Sequence, residues 1–121
     1  MACRSSRQDF CFTGDLTERG IKEQHGFMAQ YIVDDETYMN VVPNGLRDIA
    51  VLGEPLTIAE KGLAQVWDIQ QRLPWGCPVT PGKAHPHHHS AVVLGAGPVG
   101  LLGAMALVNA GFDTYVYARE A

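Results

Sequence analysis

The longest apolar stretch of the chain, Ala91 to Tyr117, is punctuated by Gly111 and Asp113. Within it the pattern changes twice. Ala91–Leu94 is a short unbroken apolar run, which predicts a buried strand. Residues 98–110 are rich in alanine and leucine and predict a helix, and Thr114–Tyr117 predicts a second strand. Upstream, Leu56, Ala59, Leu63, Val66 and Leu73 recur mostly at three- and four-residue steps, the pattern of an amphipathic helix. Pro55 suits the first turn of that helix, where a missing N–H is harmless. A shorter helical piece, carrying Asp48, Ile49, Val51 and Leu52, precedes Gly53. Two runs rich in strand formers, FMAQYIV (27–33) and YMNVV (38–42), flank the polar DDET and predict a strand pair. Pro43, Asn44 and Gly45 break the chain after them. Residues 1–26 are polar and aperiodic, a loop or lobe. Residues 74–90 hold four prolines and two glycines and read as a linker.

Composition narrows the class. Hydrophobic residues make up 46% of the 121 positions and charged residues 18%, which is globular rather than disordered. A net charge of −4 excludes a broad basic face for nucleic acid or anionic lipid. No apolar run approaches the length of a membrane span, and MACRSSRQDF lacks the apolar centre of a signal peptide. Three cysteines, an odd number, argue against a secreted disulfide framework and for a reducing cytoplasmic setting or metal ligation.

The candidate chemistry starts at Gly95, Gly97 and Gly100, which spell G-x-G-x-x-G between a predicted strand and a predicted helix. Gly95 allows the tight turn, Gly97 lets a diphosphate approach the backbone, and Gly100 lets helix and strand pack closely. The helix start at Pro98 and Val99 presents unbonded N–H groups and the positive dipole end. The expected fold class is α/β, with 91–121 as the first β-α-β unit of a Rossmann domain that binds NAD(P). The residue at the end of the second strand selects the dinucleotide. Position 119, twenty-four after Gly95, is Arg119, whose guanidinium pairs with a 2′-phosphate and favours NADP. Glu120, one step on, would serve the 2′-hydroxyl of NAD.

Cys3 and Cys11 form C-x7-C, which alone says little. With the residues between and beyond, CRSSRQDFCFTGDLTERGIKEQHGFMAQYIV, the stretch resembles the structural-zinc lobe of the zinc-dependent medium-chain dehydrogenases and is similar to their glucose 1-dehydrogenase branch. The resemblance continues through LGEPLTIAEKG to the glycine motif and covers nearly the whole chain outside the proline–histidine linker. It implies that residues 1–73 are part of a GroES-like, β-rich catalytic domain, that 74–90 link it to the Rossmann domain, and that the activity is oxidation of a sugar or alcohol hydroxyl with NADP or NAD. It implies that Cys3 and Cys11 are the third and fourth ligands of a four-thiolate zinc site. Glu54 in GEPL would match a glutamate that approaches the catalytic zinc, where a Lewis acid stabilises the alkoxide. Glu18 in TERGI would match a glutamate that contacts sugar hydroxyls. The family's other zinc ligands match no position in this chain, so it is expected to be an internal piece, marginally stable and inactive alone, of a homo-oligomeric parent.

The residues also admit plainer readings. Glu54 suits the first turn of a helix on electrostatic grounds. Glu18 suits a loop carboxylate, and Cys3 and Cys11 without partners suit two free thiols. Cys77 reads as an unpaired linker cysteine. His85, His87, His88 and His89 could chelate metal loosely but read as variable linker. The competing functional readings are a non-catalytic, partner-binding remnant and a dinucleotide module without zinc.

Overall fold

The computed structural model of the chain describes residues 2–5, 7–74 and 89–119. It is mixed α/β with small sheets, divided into two compact units, Met1–Val41 and Val42–Ala121. Among the described residues no helix is long and apolar enough to cross a membrane.

The first unit consists mostly of turns. Short 3-10 segments span Ala2–Ser5, Gln8–Phe10 and Glu36–Tyr38. The last is capped by Asp35, whose carboxylate accepts a hydrogen bond from the Thr37 amide at 2.9 Å. Strands β1 (Glu18–Arg19) and β2 (Glu23–Gln24) pair Glu18 with Glu23 and Arg19 with Gln24. The strand pair expected over 27–33 and 38–42 does not form. Strand-forming composition is a preference for a pleated, half-buried surface with a neighbour to bond. Here Met28, Tyr31, Val33 and Val41 are exposed, and no described strand of the unit runs beside them.

The second unit opens with a 3-10 segment, Asn44–Leu52, that passes at Gly53 into helix α1 (Gly53–Gln70). The two-part helix expected from the sequence is therefore present, with a 3-10 first part. Leu56, Ala59, Leu63 and Trp67 lie on the half-buried side of α1. Val66, expected on that side, is exposed, because the 3.6-residue period carries the buried stripe to Trp67 instead.

Later in the chain come β3 (His89–Leu94), α2 (Pro98–Asn109) and β4 (Phe112–Tyr117). β3 and β4 are parallel, in register from His89–Phe112 to Leu94–Tyr117, and α2 is the crossover between them. This is a β-α-β unit, the only economical way to join two parallel strands. α2 packs against both strands and against α1. Its helix–helix approach is close because the facing residues are small: a Cβ on Gly103 would sit 4.0 Å from Cβ of Ala59. Leu102, 7% exposed, is the buried centre of the unit. Rings of Trp67, His89 and Phe112 cluster with centroids 5.1–5.6 Å apart and tie the last turns of α1 to the start of the sheet.

Two expectations change here. His89 and Ser90, assigned by sequence to the linker, belong to β3, and His89 packs in the aromatic cluster. Cys77, His85, His87 and His88 lie outside the described residues. The strand at 91–94, expected to be buried, is buried on one face only: Ala91 and Val93 face α2, and Val92 and Leu94 are exposed. A parallel strand needs cover on both faces, and α2 supplies one.

Candidate functional site

A pocket of about 370 Å³ opens where the two parallel strands end. Gly95, Ala96 and Gly97, which follow β3, form one wall, and Ala118 and Arg119, which follow β4, form the other. Of the sequence-predicted cofactor residues, the fold therefore brings Gly95, Gly97 and Arg119 to one cavity. Their common position comes from the strand register. Tyr117 is the last residue of β4, and its carbonyl accepts from the Gly95 amide at 2.8 Å, so the two chains leave the sheet side by side. Ala96 and Ala118 complete the lining and were not singled out by sequence. Small side chains at these two positions keep the pocket open. Only the register of β3 with β4 could have pointed to Ala118.

The three motif glycines differ in what the fold asks of them. Gly95 has φ +106°, a conformation that side-chain-bearing residues rarely adopt. Gly100 sits under the turn: a Cβ there would overlap the carbonyl oxygen of Gly95, 3.1 Å from the carbonyl carbon and 3.6 Å from Cγ1 of Val93. Gly97 has φ −74° and ψ 175°, and a Cβ there meets nothing within 4 Å. The fold thus requires glycine at 95 and 100 and tolerates a side chain at 97, which points into open space at the pocket.

Gly97 is also the N-cap of α2. It offers no side chain to the first turn, Pro98 carries no N–H, and the first intrahelical bond runs from Leu101 to the Gly97 carbonyl at 2.9 Å. The amides of Val99 and Gly100 therefore have no intrahelical acceptor, and the positive end of the helix dipole lies beside the pocket. Val99 and Pro98 act through backbone position; neither side chain lines the cavity. This arrangement is suited to a phosphate ester. Glu120 lies outside the described residues.

The remaining predicted residues lie elsewhere. Glu18 is in the first unit, beside a second cavity of about 450 Å³ that is also lined by Arg19, Gln24, Phe27 and Tyr38. Arg19 pairs with Asp34 at 2.5 Å and lies over the Phe27 ring, 5.3 Å from its centroid. The Arg19 hydrogen bond holds the Asp34 carboxyl below its ordinary value, with a smaller push from the Asp35 amide. A depressed folded value stabilises the unit above the ordinary carboxylate range, and that contribution is lost as pH falls through the folded value. We expect the first unit to loosen below about pH 4 and Asp34→Asn to remove that dependence, read from the Phe27 and Arg19 NMR signals on acid titration. An unchanged titration in the variant would show that the pair does not hold the unit together.

Cys11 shares a 3.4 Å hydrogen bond with the Thr13 hydroxyl, which lowers its thiol pKa. Glu54 is exposed in the first turn of α1, in the second unit. Cys3 lies in the 3-10 segment Ala2–Ser5. Among the described residues no three histidine, cysteine, aspartate or glutamate side chains gather as a metal site. No chemistry is routed through a metal at Cys11 or Glu54.

No family model matches the chain. Curated proteins do. Glucose 1-dehydrogenase of Methanocella arvoryzae is 41% identical over 98% of this chain and 30% of its own length. Glucose 1-dehydrogenase 1 of Picrophilus torridus is 41% identical over 94% of the chain and 31% of its own. Glucose 1-dehydrogenase of Metallosphaera sedula is 42% identical over 98% and 32%. The chain spans about a third of the length of these relatives, and it is dehydrogenase-like by resemblance to them.

Proposed function

We propose that this chain carries the phosphate-binding β-α-β unit of a sugar-oxidising dehydrogenase and holds NADP in preference to NAD. In this reading residues 91–121 begin a Rossmann domain, 74–90 link it, and 1–73 are part of a GroES-like catalytic domain. The observation that supports it most is the pocket itself: glycine backbone on one side and a guanidinium on the other, at the carboxyl ends of two parallel strands. That is where open α/β sheets take their ligands.

The roles follow from position. Gly95 turns the chain out of the strand. Gly97 leaves the space that a diphosphate would fill. The amides of Val99 and Gly100 would donate to its oxygens. Arg119, across the pocket, would form a charge-assisted pair with the 2′-phosphate. A bound nicotinamide dinucleotide would supply hydride transfer. Glu18 would hydrogen-bond sugar hydroxyls, and the similarity to proteins named glucose 1-dehydrogenase supports a sugar as substrate. No turnover is assigned to the chain alone, since Glu18 and the glycine loop belong to separate compact units.

Titration of the chain with NADP and NAD tests the reading. NADP is expected to bind the tighter. Arg119→Ala should weaken NADP by roughly ten- to a hundredfold, the loss of one or two hydrogen bonds to a charged group, and leave NAD nearly unchanged. Tighter binding of NAD by the unaltered chain would reverse the cofactor assignment. Binding of neither would remove the dinucleotide reading.

A further inference from the structure

Pro43, Asn44 and Gly45 lie at the start of the second unit, outside the sites described above. Asn44 is the first residue of the 3-10 segment Asn44–Leu52, and both it and Gly45 are exposed. The first backbone bond of the segment runs from the Leu46 amide to the Pro43 carbonyl at 2.8 Å. The Gly45 amide precedes the bonded donors and has no backbone acceptor among the described residues. The Asn44 side chain likewise has no hydrogen-bond partner there. A Cβ built on Gly45 would meet nothing within 4 Å. A carboxamide carbon thus sits next in sequence to an unbonded main-chain amide, with no side chain on the second residue to obstruct their approach. Glycine also gives the backbone the freedom to bring the two groups together. These features belong to residues 43–46 themselves and draw on no other part of the chain.

We propose that Asn44–Gly45 is a site of spontaneous covalent modification, at which the Asn44 carboxamide becomes a carboxylate. The Gly45 nitrogen attacks Cγ of Asn44 and closes a five-membered imide. The Cγ–Nδ2 bond breaks, and Nδ2 leaves as ammonia with the proton of the Gly45 amide. Water, the co-reactant, then opens the ring at one of its two carbonyls. Opening at Cγ leaves aspartate in an ordinary main chain. Opening at the main-chain carbonyl leaves isoaspartate, whose chain reaches Gly45 through Cβ and Cγ. Water enters, ammonia leaves, and nothing is oxidised or reduced. The two products act differently on the segment that leads into α1. Aspartate keeps the turn and places a carboxylate at the start of a helical segment, where free N–H groups favour negative charge. Isoaspartate adds a main-chain carbon between Pro43 and Leu46, and the hydrogen bond that closes that turn is lost. The other asparagines lack these features. Asn40 precedes Val41, whose branched side chain crowds the attacking nitrogen. Asn109 ends α2, and the amide that follows it, that of Ala110, is bonded to the Ala106 carbonyl at 3.0 Å.

Incubation of the full chain at mildly alkaline pH, followed by peptide mapping and mass spectrometry, tests this. The expected result is progressive loss of unmodified Asn44, with a mass gain equal to exchange of NH for O in its peptide alone. Two product peptides should appear, and an isoaspartyl methyltransferase should label one of them. The attacking nitrogen must shed its proton, so the loss should accelerate as pH rises. Gly45→Ala fits the open space at that position and should slow the loss roughly tenfold or more, by crowding and stiffening the nucleophile. Circular dichroism should show unchanged helix content in this variant. The chain unfolded in urea gives the reference rate, and the folded chain should react within a few-fold of it. Asn44 that stays intact in the folded chain while it reacts in urea overturns the proposal. So does equal loss at Asn40 or Asn109, a product that is aspartate alone, or a rate that Gly45→Ala leaves unchanged.

Discussion

Gly100→Ala is expected to destabilise the second unit by about 2–3 kcal/mol, the scale of an overpacked site that forces backbone to move. The added methyl overlaps a main-chain oxygen, not the flexible end of a side chain. Relief requires α2 to lift from the start of the Gly95 turn. That movement loosens Leu102, the buried centre of the unit, and displaces the amides at the helix start. A loss of this size in a small domain lowers Tm by roughly 10 °C or more. Thermal unfolding followed by circular dichroism measures it, and dinucleotide binding should fall in parallel because the pocket wall moves. A variant with unaltered Tm would show that strand and helix are not packed as tightly as the structure has them.

Gly97→Ala is expected to do the reverse: little to stability and much to binding. Its backbone angles suit any residue, and the new methyl meets no atom of the protein. Replacing glycine with alanine at an N-cap costs about 1 kcal/mol or less. On the proposed reading the methyl would take up space beside the helix amides that a diphosphate fills. We expect NADP and NAD affinity to fall together, by roughly ten- to a hundredfold, since both carry the same diphosphate. The comparison separates the fold's requirement for glycine from the ligand's. Affinity that survives in Gly97→Ala would mean that no phosphate approaches this backbone. Arg119→Ala, in contrast, should distinguish the two dinucleotides, because only one of them carries a 2′-phosphate.

Legibility in the sequence followed the range of the interactions involved. The β-α-β unit is encoded locally: an apolar run, three glycines at fixed spacing, an alanine- and leucine-rich segment and a second apolar run specify the strand, turn and helix among neighbours in the chain. Its elements accordingly lie where the pattern puts them, with β3 and β4 each starting two residues early. The strand pair expected at 27–33 and 38–42 shows the opposite case. Its composition is that of a strand, but ladder hydrogen bonds come from a neighbour, and no described strand of that unit provides one. The Val66 misplacement is smaller and has a geometric cause. Counting steps of three and four does not fix which residue of a turn faces the neighbour, and α1 settled that by packing Trp67 against His89 and Phe112.

The sequence by itself determined the turn, the helix and the candidate phosphate loop, because glycine spacing and local periodicity act between residues close in the chain. It also placed Arg119 near the loop through the usual length of a crossover. Only the tertiary structure decided that Gly95, Gly97 and Arg119 share one pocket with Ala96 and Ala118. That depends on the parallel register of β3 with β4, which is set by side chains meeting across twenty-three positions. Tertiary packing alone also decided that Gly97 is free of the fold's own demands, since what a side chain would meet is a property of neighbours in space.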